Sequence, residues 1–562
     1  MKSFAFLAAV TLFATAVSAE VTVYKGGPIV TMAGDEAETV EAIAVDDGKI
    51  IAVGTEAVVN KRAGKKARQF DLGGRTMLPG FIDAHGHISA VGSTAGLANL
   101  SPPPVGGVSS IAELQETLKN YQRPEAIPII IGWGYDDSLM AERRHPTRQE
   151  LDAVSTTMPI MISHASGHLG VMNSAMLKMV GITADTPNPV GGVIRREEDG
   201  KTPNGILEET AWFSNLAMLA PKSPEASLPG LMAGAKIYAA SGITTAQDGR
   251  VMPEGWATLA IANEQNKLPI DIVALIAGET EWPAEVLAKV GKPSKGRIRI
   301  GGIKLVLDGS PQGRTAWLRE PVPVPPEGQG ADYHGYGLMS PETLTAKLKW
   351  VADNDWQLFA HVNGDAAAQA LIDGVRANGL SGKRTIAIHN QVVGADQLPE
   401  MKKLDIHPSF FANHTFFWGD WHREVSIGQK RADFISPQAS AWAIGLRPTA
   451  HNDSPVVPTD MMRLVWSSVN RRTRSGDILG PLERITPYRA LQQVTINAAW
   501  QIHEDESKGS IAIGKRADLV ILDSNPLTVD PAEIDKIKVV ATIKDGVAIH
   551  GDPSGLKKEL AE

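Results

Sequence analysis

Short runs of alternating apolar and polar residues open and close this chain, and longer apolar runs separated by helical spacing fill its middle. Near the start, Val21-Thr22-Val23-Tyr24 and Ala42-Ile43-Ala44-Val45 read as strands. Asp46-Asp47-Gly48-Lys49 joins the second of them to Ile50-Ile51-Ala52-Val53 as a hairpin. The C-terminal stretch has the same character: Ala517–Asp523 and Val539–Ile543 are strand-like, and Lys544-Asp545-Gly546-Val547 is a hairpin turn. Neither end offers enough strands for independent stability. Together they predict one small β-sandwich assembled from residues 20–75 and 506–562.

Between them, residues 76–505 alternate strand-like and helical patterns. The clearest strand-like runs are Ile127–Ile131, Met158–Ser163, Arg299–Leu307 and Thr385–His389, with Pro128 tolerable only near a strand start. Helices are expected at Ile111–Lys119, Pro341–Asn354, Ala366–Ala377 and Pro487–Asn497, the third capped by Asp365. Repeated βα units over this length predict an α/β fold, a (β/α)8 TIM barrel carrying insertions. No internal repeat or low-complexity tract interrupts it.

The first 19 residues follow a different rule. Lys2 supplies a positive start, Phe4–Val17 is apolar apart from Thr11 and Thr15, and Val17-Ser18-Ala19 offers small residues for cleavage. This is a secretory signal peptide pattern, predicting a periplasmic or secreted protein. The apolar run falls short of the ~20 residues that span a bilayer, so stable membrane insertion is not expected.

Composition narrows the function classes. Of 562 residues, 21% are charged and 43% hydrophobic, and the net charge is -8, which leaves no basic footprint for nucleic acid. There is no cysteine, so disulfides, thiol nucleophiles and cysteine-ligated metals are excluded. A metal here must be held by His, Asp, Glu or a modified Lys.

Such residues collect at strand ends, where barrel chemistry sits. Thr76–His87 reads as a strand ending in His85-Gly86-His87. Residues two apart on a strand share a face, so both imidazoles can converge on a first-row metal such as Zn²⁺. Lys304 lies inside an apolar run, His361 closes Trp356–Ala360, His389 closes Thr385–Ile388, and Asp453 closes Leu446–Asn452. Each alone has a bland reading as a packed, edge or turn residue; six in barrel order point to one shared site. His145, His334, His422, His503 and His550 read as surface or structural.

With these motifs the chain resembles the amidohydrolase superfamily, in particular amidohydrolase family 3, the branch of YtcJ-like proteins and N-substituted formamide deformylases. The resemblance runs through Leu78–His87, Gly167-His168 with Asn173-Ser174, Gly205–Glu209, Ile303–Gly309 with Arg314-Thr315-Ala316, His361–Asp365, Asp453–Val456 and Gly509–Val520. It implies His85, His87 and Asp453 on one divalent metal and His361 and His389 on a second, bridged by a carbamylated Lys304. It further implies a bridging hydroxide between the metals, with Asp453 as the proton shuttle; an unmodified Lys304 favours a single metal. His168, Glu209 and His414 are the substrate-side candidates. The aromatic run Phe410–Trp421 around His414 reads equally as a pocket wall or a packed lid. Ile388 stands where the branch carries Glu, and Asn452 where it carries Ser.

The expected activity is metal-dependent hydrolysis of a non-peptide C–N bond in a small molecule: amide, formamide or cyclic amide. The alternatives are a mononuclear deaminase on the same barrel, whose catalytic Glu has no counterpart near His361, and a binding barrel without turnover. A homo-oligomer is compatible with the sequence.

Overall fold

The computed structural model describes residues 20–123, 127–216 and 223–551. The leader sequence lies outside them. Three sheets organise the described chain.

The first draws on both ends. Thr22–Val30, Thr39–Asp46, Lys49–Gly54, Arg68–Asp71 and Thr76–Pro79 join Leu519–Leu522, Val539–Lys544 and Val547–His550 in one eight-stranded sheet. The seam is Thr76–Pro79, antiparallel to Leu519–Leu522 and parallel to the first strand. Both hairpins turn on Asp-Gly pairs with positive φ at both residues, 45° and 73° at Asp47-Gly48 and 49° and 76° at Asp545-Gly546. That geometry matches the twist of the flanking strands. Residues from both ends, among them Ile29, Ile43, Phe70, Met77, Leu519 and Ile543, bury into one core.

The third sheet is all parallel and carries the candidate site. Its strands are β1 (Phe81–Ile82), β2 (Ile243–Val251), β3 (Asp271–Ala277), β4 (Ile298–Val306), β5 (Leu358–Val362), β6 (Thr385–His389), β7 (Ile406–Phe410) and β8 (Thr449–Ala450), hydrogen-bonded in that order. Helices Pro253–Glu264, Pro341–Asp353, Asp365–Ala377 and Gln397–Lys403 fall between strands. Alternate strand residues divide between two cores. Ile272, Ala274, Ile276, Ile303, Leu305, Ala360 and Ala387 pack toward helix residues such as Leu348 and Leu371. Ile82, Val273, Leu275, Phe359, Ile386 and Ile388 form a separate inner cluster. The sheet curls, and backbone bonds join the segments just past its edge strands β1 and β8: Asp453 N–H donates to His85 O at 3.1 Å, and His87 N–H to Ser454 O at 2.8 Å.

Several expectations need correction. The strand read as Thr76–His87 breaks at Gly80. Its first half belongs to the terminal sheet, and only Phe81–Ile82 enters the parallel one. A Cβ at Gly80 would lie 2.4 Å from Thr244 Cγ2, so β2 presses against the backbone there. The run Leu446–Asn452 is a strand only at Thr449–Ala450. Strands Ile130–Tyr135 and Ile160–His164, read among the repeating βα units, lie in a separate six-stranded sheet built from residues between β1 and β2. Asp365 is the first residue of its helix, not its cap, and its carboxylate accepts the Arg319 N–H at 2.8 Å. Among the described residues no helix is long and apolar enough to cross a membrane.

Candidate metal centre

Six side chains from five places meet at the C-terminal ends of the parallel strands. Lys304 sits on β4 between Ile303 and Leu305, which face the helices, so alternation turns it to the inner face. It is 2% exposed, and its Nζ lies 3.2 Å from His85 Nε2. His361, on the face of Phe359, brings its ring to 4.5 Å from that of His389. By alternation His389 should follow Ala387 outward. Its φ of 68° breaks the alternation, which places its Nε2 3.9 Å from Asp453 Oδ2.

Asp453 is the hub. Its Oδ1 lies 3.2 Å from His87 Nε2 and 3.6 Å from His85 Nε2. His85, His389 and Asp453 offer ligand atoms within 4.8 Å of one another. His85 and His87 are not on a regular strand, because β1 stops at Ile82 and His87 caps the helix Ile88–Thr94. They converge because the chain just past β1 is tied by backbone bonds to the chain just past β8. Glu209, His389 and Asp453 all hold left-handed backbone, with φ of 49°, 68° and 53°. Each such non-glycine residue costs about 1–2 kcal/mol, strain that concentrates at this site.

The electrostatics are those of a ligand set. Burial pushes the Lys304 amine down to about 7. Burial, reinforced by neighbouring Lys304 and imidazoles, holds His85, His361 and His389 well below the ordinary histidine value, so their rings are neutral donors. Burial alone would raise Asp453, but His87, with Nε2 3.2 Å from its Oδ1, outweighs burial together with His451 and Lys304 and holds it below the usual carboxylate range. Asp453 Oδ1 and His361 Nδ1 are buried without a hydrogen-bond partner. Neutral imidazoles, one anionic carboxylate and orphaned buried atoms fit a divalent cation.

Two of the substrate-side candidates adjoin this set. His168 Nδ1 lies 2.6 Å from Glu209 Oε2, and its ring is 5.1 Å from that of His361. Burial disfavours the His168 cation, but Glu209 outweighs it and raises the group above its ordinary value. Thr315 Oγ1 donates to the other Glu209 oxygen at 2.7 Å. His414 stands further back. Phe411 lies between, 6.3 Å from His389 and 4.6 Å from His414, and His414 Nδ1 is 2.9 Å from His422 Nε2.

Three further groups support the set. His451 Nε2 meets His389 Nδ1 at 3.0 Å, and its Nδ1 meets Ser409 Oγ at 2.9 Å. Sequence reasoning missed His451; its place two residues before Asp453, the same spacing as His85 and His87, was the one signal that pointed to it. Asp308 accepts the N–H groups of Asn363, Gly364 and Trp317, pinning the chain just past His361; burial pushes its carboxyl up to about 7. Asp248, its carboxylate bonded to Ser89 Oγ at 2.5 Å, lies where β2 bridges His87.

A second buried group lies in the inserted sheet: Asp136, Asp137 and His164, with ligand atoms also within 4.8 Å. His164 Nε2 lies 3.1 Å from Asp137 Oδ1 and 3.7 Å from Asp136 Oδ1; burial disfavours its cation, but these carboxylates outweigh burial and raise the group to about 9, so Nε2 carries a proton. A proton on that nitrogen leaves no lone pair for a cation. His145, on the other Asp137 oxygen at 3.6 Å, is buried in the same cluster.

Known proteins resemble this chain over most of its length. The chain is 28% identical over 527 residues to the N-substituted formamide deformylase of Arthrobacter pascens, covering 90% of this chain and 94% of that protein. It is 25% identical over 545 residues to the putative amidohydrolase YtcJ of Bacillus subtilis, covering 94% and 99%. Among solved structures, an uncharacterized metal-dependent hydrolase from Pyrococcus horikoshii shares the fold with a TM-score of 0.72 at 24% identity, covering 91% of this chain and 99% of that one. Residues 68–550 match the amidohydrolase family as a whole, and to that family this chain belongs.

Proposed function

We propose that this protein is an exported, metal-dependent hydrolase that cleaves a non-peptide C–N bond in a small amide, formamide or cyclic amide. The observation that carries the reading is the meeting of His85, His389 and Asp453 within 4.8 Å, with the Lys304 amine 3.2 Å from His85. The finer fold reading is a closed (β/α)8 barrel with a terminal β-sandwich. His85, His87 and Asp453 would hold one divalent cation, His361 and His389 a second, and Lys304 would bridge them as a carbamate. A neutral lysine can capture CO₂, and burial, by bringing this amine down to about 7, makes the neutral form available near neutral pH. The bound cation, Zn²⁺ or another divalent metal, supplies Lewis acidity and an ionisable water near neutral pH.

The protein's own groups do the rest. Asp453 is ionised, and its Oδ1 has no competing hydrogen-bond partner, so it can take a proton from the attacking water and return it to the leaving nitrogen. His168, with Nδ1 engaged by Glu209, keeps Nε2 to orient and polarise the substrate carbonyl. His414 acts through Phe411 as part of the pocket wall. Metal analysis of the purified protein beside a panel of N-acyl amides tests the reading. Hydrolysis that chelation abolishes and metal restores supports it. Metal-free protein with full turnover overturns it. N-terminal sequencing of periplasmic material should begin near Glu20.

A further inference from the structure

A cavity of about 340 Å³ opens beside the candidate centre. No ligand residue lines it, yet two of its walls continue directly from ligands. One wall is the helix Ile88–Thr94, which starts after His87; another is the loop after Asp453. The His87 N–H to Ser454 O bond ties these walls together. Trp133, Phe417, Trp418 and Val456 give the cavity an aromatic and branched apolar lining.

Two polar atoms in this lining are buried without a hydrogen-bond partner: Ser454 Oγ and Arg474 Nη1. Ser454 is one residue from Asp453. Arg474 also lines the surface depression around Asp420 and Trp421, which puts it at the outer end. Its other terminal nitrogen, Nη2, is anchored on Pro103 O. Asp136, the one carboxylate lining the cavity, is already engaged. Its Oδ1 accepts from Ser138 N–H and Oγ, and its Oδ2 from Trp418 Nε1 at 2.5 Å. Asp136 and Asp420 act favourably on the Arg474 charge, but a guanidinium only donates, so its idle N–H still calls for an acceptor, and a carboxylate makes the strongest such bond.

Resting on the hydrolase reading above, we propose that this cavity is the substrate subsite remote from the scissile bond, and that it selects an apolar, ring-sized group ending in a carboxylate held by Arg474. The volume falls within the range of small-molecule pockets, and the lining follows their usual pattern of apolar walls with few polar anchors. The substrate class is then an amide with an apolar body and an anionic tail.

Calorimetric titration of the metal-loaded protein with 3-phenylpropionate and with its neutral amide provides the test. The carboxylate should bind about tenfold tighter or more, in line with a charge-assisted hydrogen bond. Arg474→Gln should erase that preference, and Ala95→Trp, from an exposed position at the cavity, should weaken both probes. Equal binding of the two probes, or a preference that survives Arg474→Gln, overturns the subsite. The latter would place the carboxylate on the metal instead. Arg474-dependent binding without hydrolysis of any amide sinks the hydrolase reading while the subsite stands. Hydrolysis with no preference for an anionic tail and no dependence on Arg474 does the reverse.

Discussion

Lys304 and Lys544 are both fully enclosed lysines, and they sit at opposite ends of the same parallel sheet's surroundings. Lys544 Nζ meets both oxygens of Asp518, at 3.0 and 2.9 Å, and Asp271 Oδ2 at 2.8 Å. Asp271 opens β3, so this cluster lies at the N-terminal ends of the strands. Lys508 joins it, 2.7 Å from Asp271 and 2.5 Å from Glu504, and those carboxylates overcome burial to raise its amine above the ordinary value. Lys304, near the C-terminal end of β4, faces imidazoles and one shared carboxylate, and burial wins. The side chain is the same in both places. The number of carboxylates in reach decides whether it is a cationic strut or a free amine able to become a ligand.

The largest effects should separate these two roles. Lys544→Met leaves Asp271 and Asp518 buried with one partner fewer and should cost about 3–5 kcal/mol in denaturant unfolding. Lys304→Met, measured on metal-stripped protein, should change stability by about 1 kcal/mol or less, yet abolish bound metal and turnover. Equal destabilisation by the two would break the comparison. Asp453→Asn keeps the shape but cannot accept a proton. It should retain most of the metal and lose turnover by ~10² or more; near-normal turnover at full occupancy would pass the proton role to Glu209 or His168.

Smaller effects sharpen the contrast. His451→Ala removes the partner that orients His389 and should weaken metal affinity by about 10–100-fold, read by competition with a chelator. Unchanged affinity would leave His451 as packing only. Asp271 is pulled well below the ordinary carboxylate range: burial opposes this, but Lys508 and Lys544 prevail. A depressed folded pKa contributes stability that is present above the unfolded value of ~3.9 and lost as pH falls through the lower folded one. The stability gap between wild type and Asp271→Asn should therefore be constant near neutrality and shrink on acidification. A gap that stays constant in acid would place the protonation elsewhere.

Much of this architecture was readable in the sequence for a definite reason. Strands buried on both faces are continuous apolar runs, so β4, β5 and β6 stood out and their boundaries moved by two residues or fewer. The same signal misled at Ile130–Tyr135 and Ile160–His164, because burial does not say which sheet a strand joins. The strands β1 and β8, with two residues each, are too short to show a period. The identities of the ligand candidates and their shared site were legible, but the backbone that brings them together was not. It depends on left-handed backbone at His389 and Asp453 and on bonds between segments far apart in the chain. Arg474 carried no motif, and Ser454 entered only as the neighbour of Asp453; the missing partners of their buried atoms mark them as a pair.

The backbone bonds joining residues 85–87 to 453–454 also constrain assembly. The intervening chain must be in place before these segments can meet, and closing such a distant contact is intrinsically slow. Half of the candidate ligands therefore exist as a set only once these two segments have met. Metal uptake during refolding should follow the last slow phase, so a colorimetric chelator in the refolding mixture would time the meeting of these two distant segments.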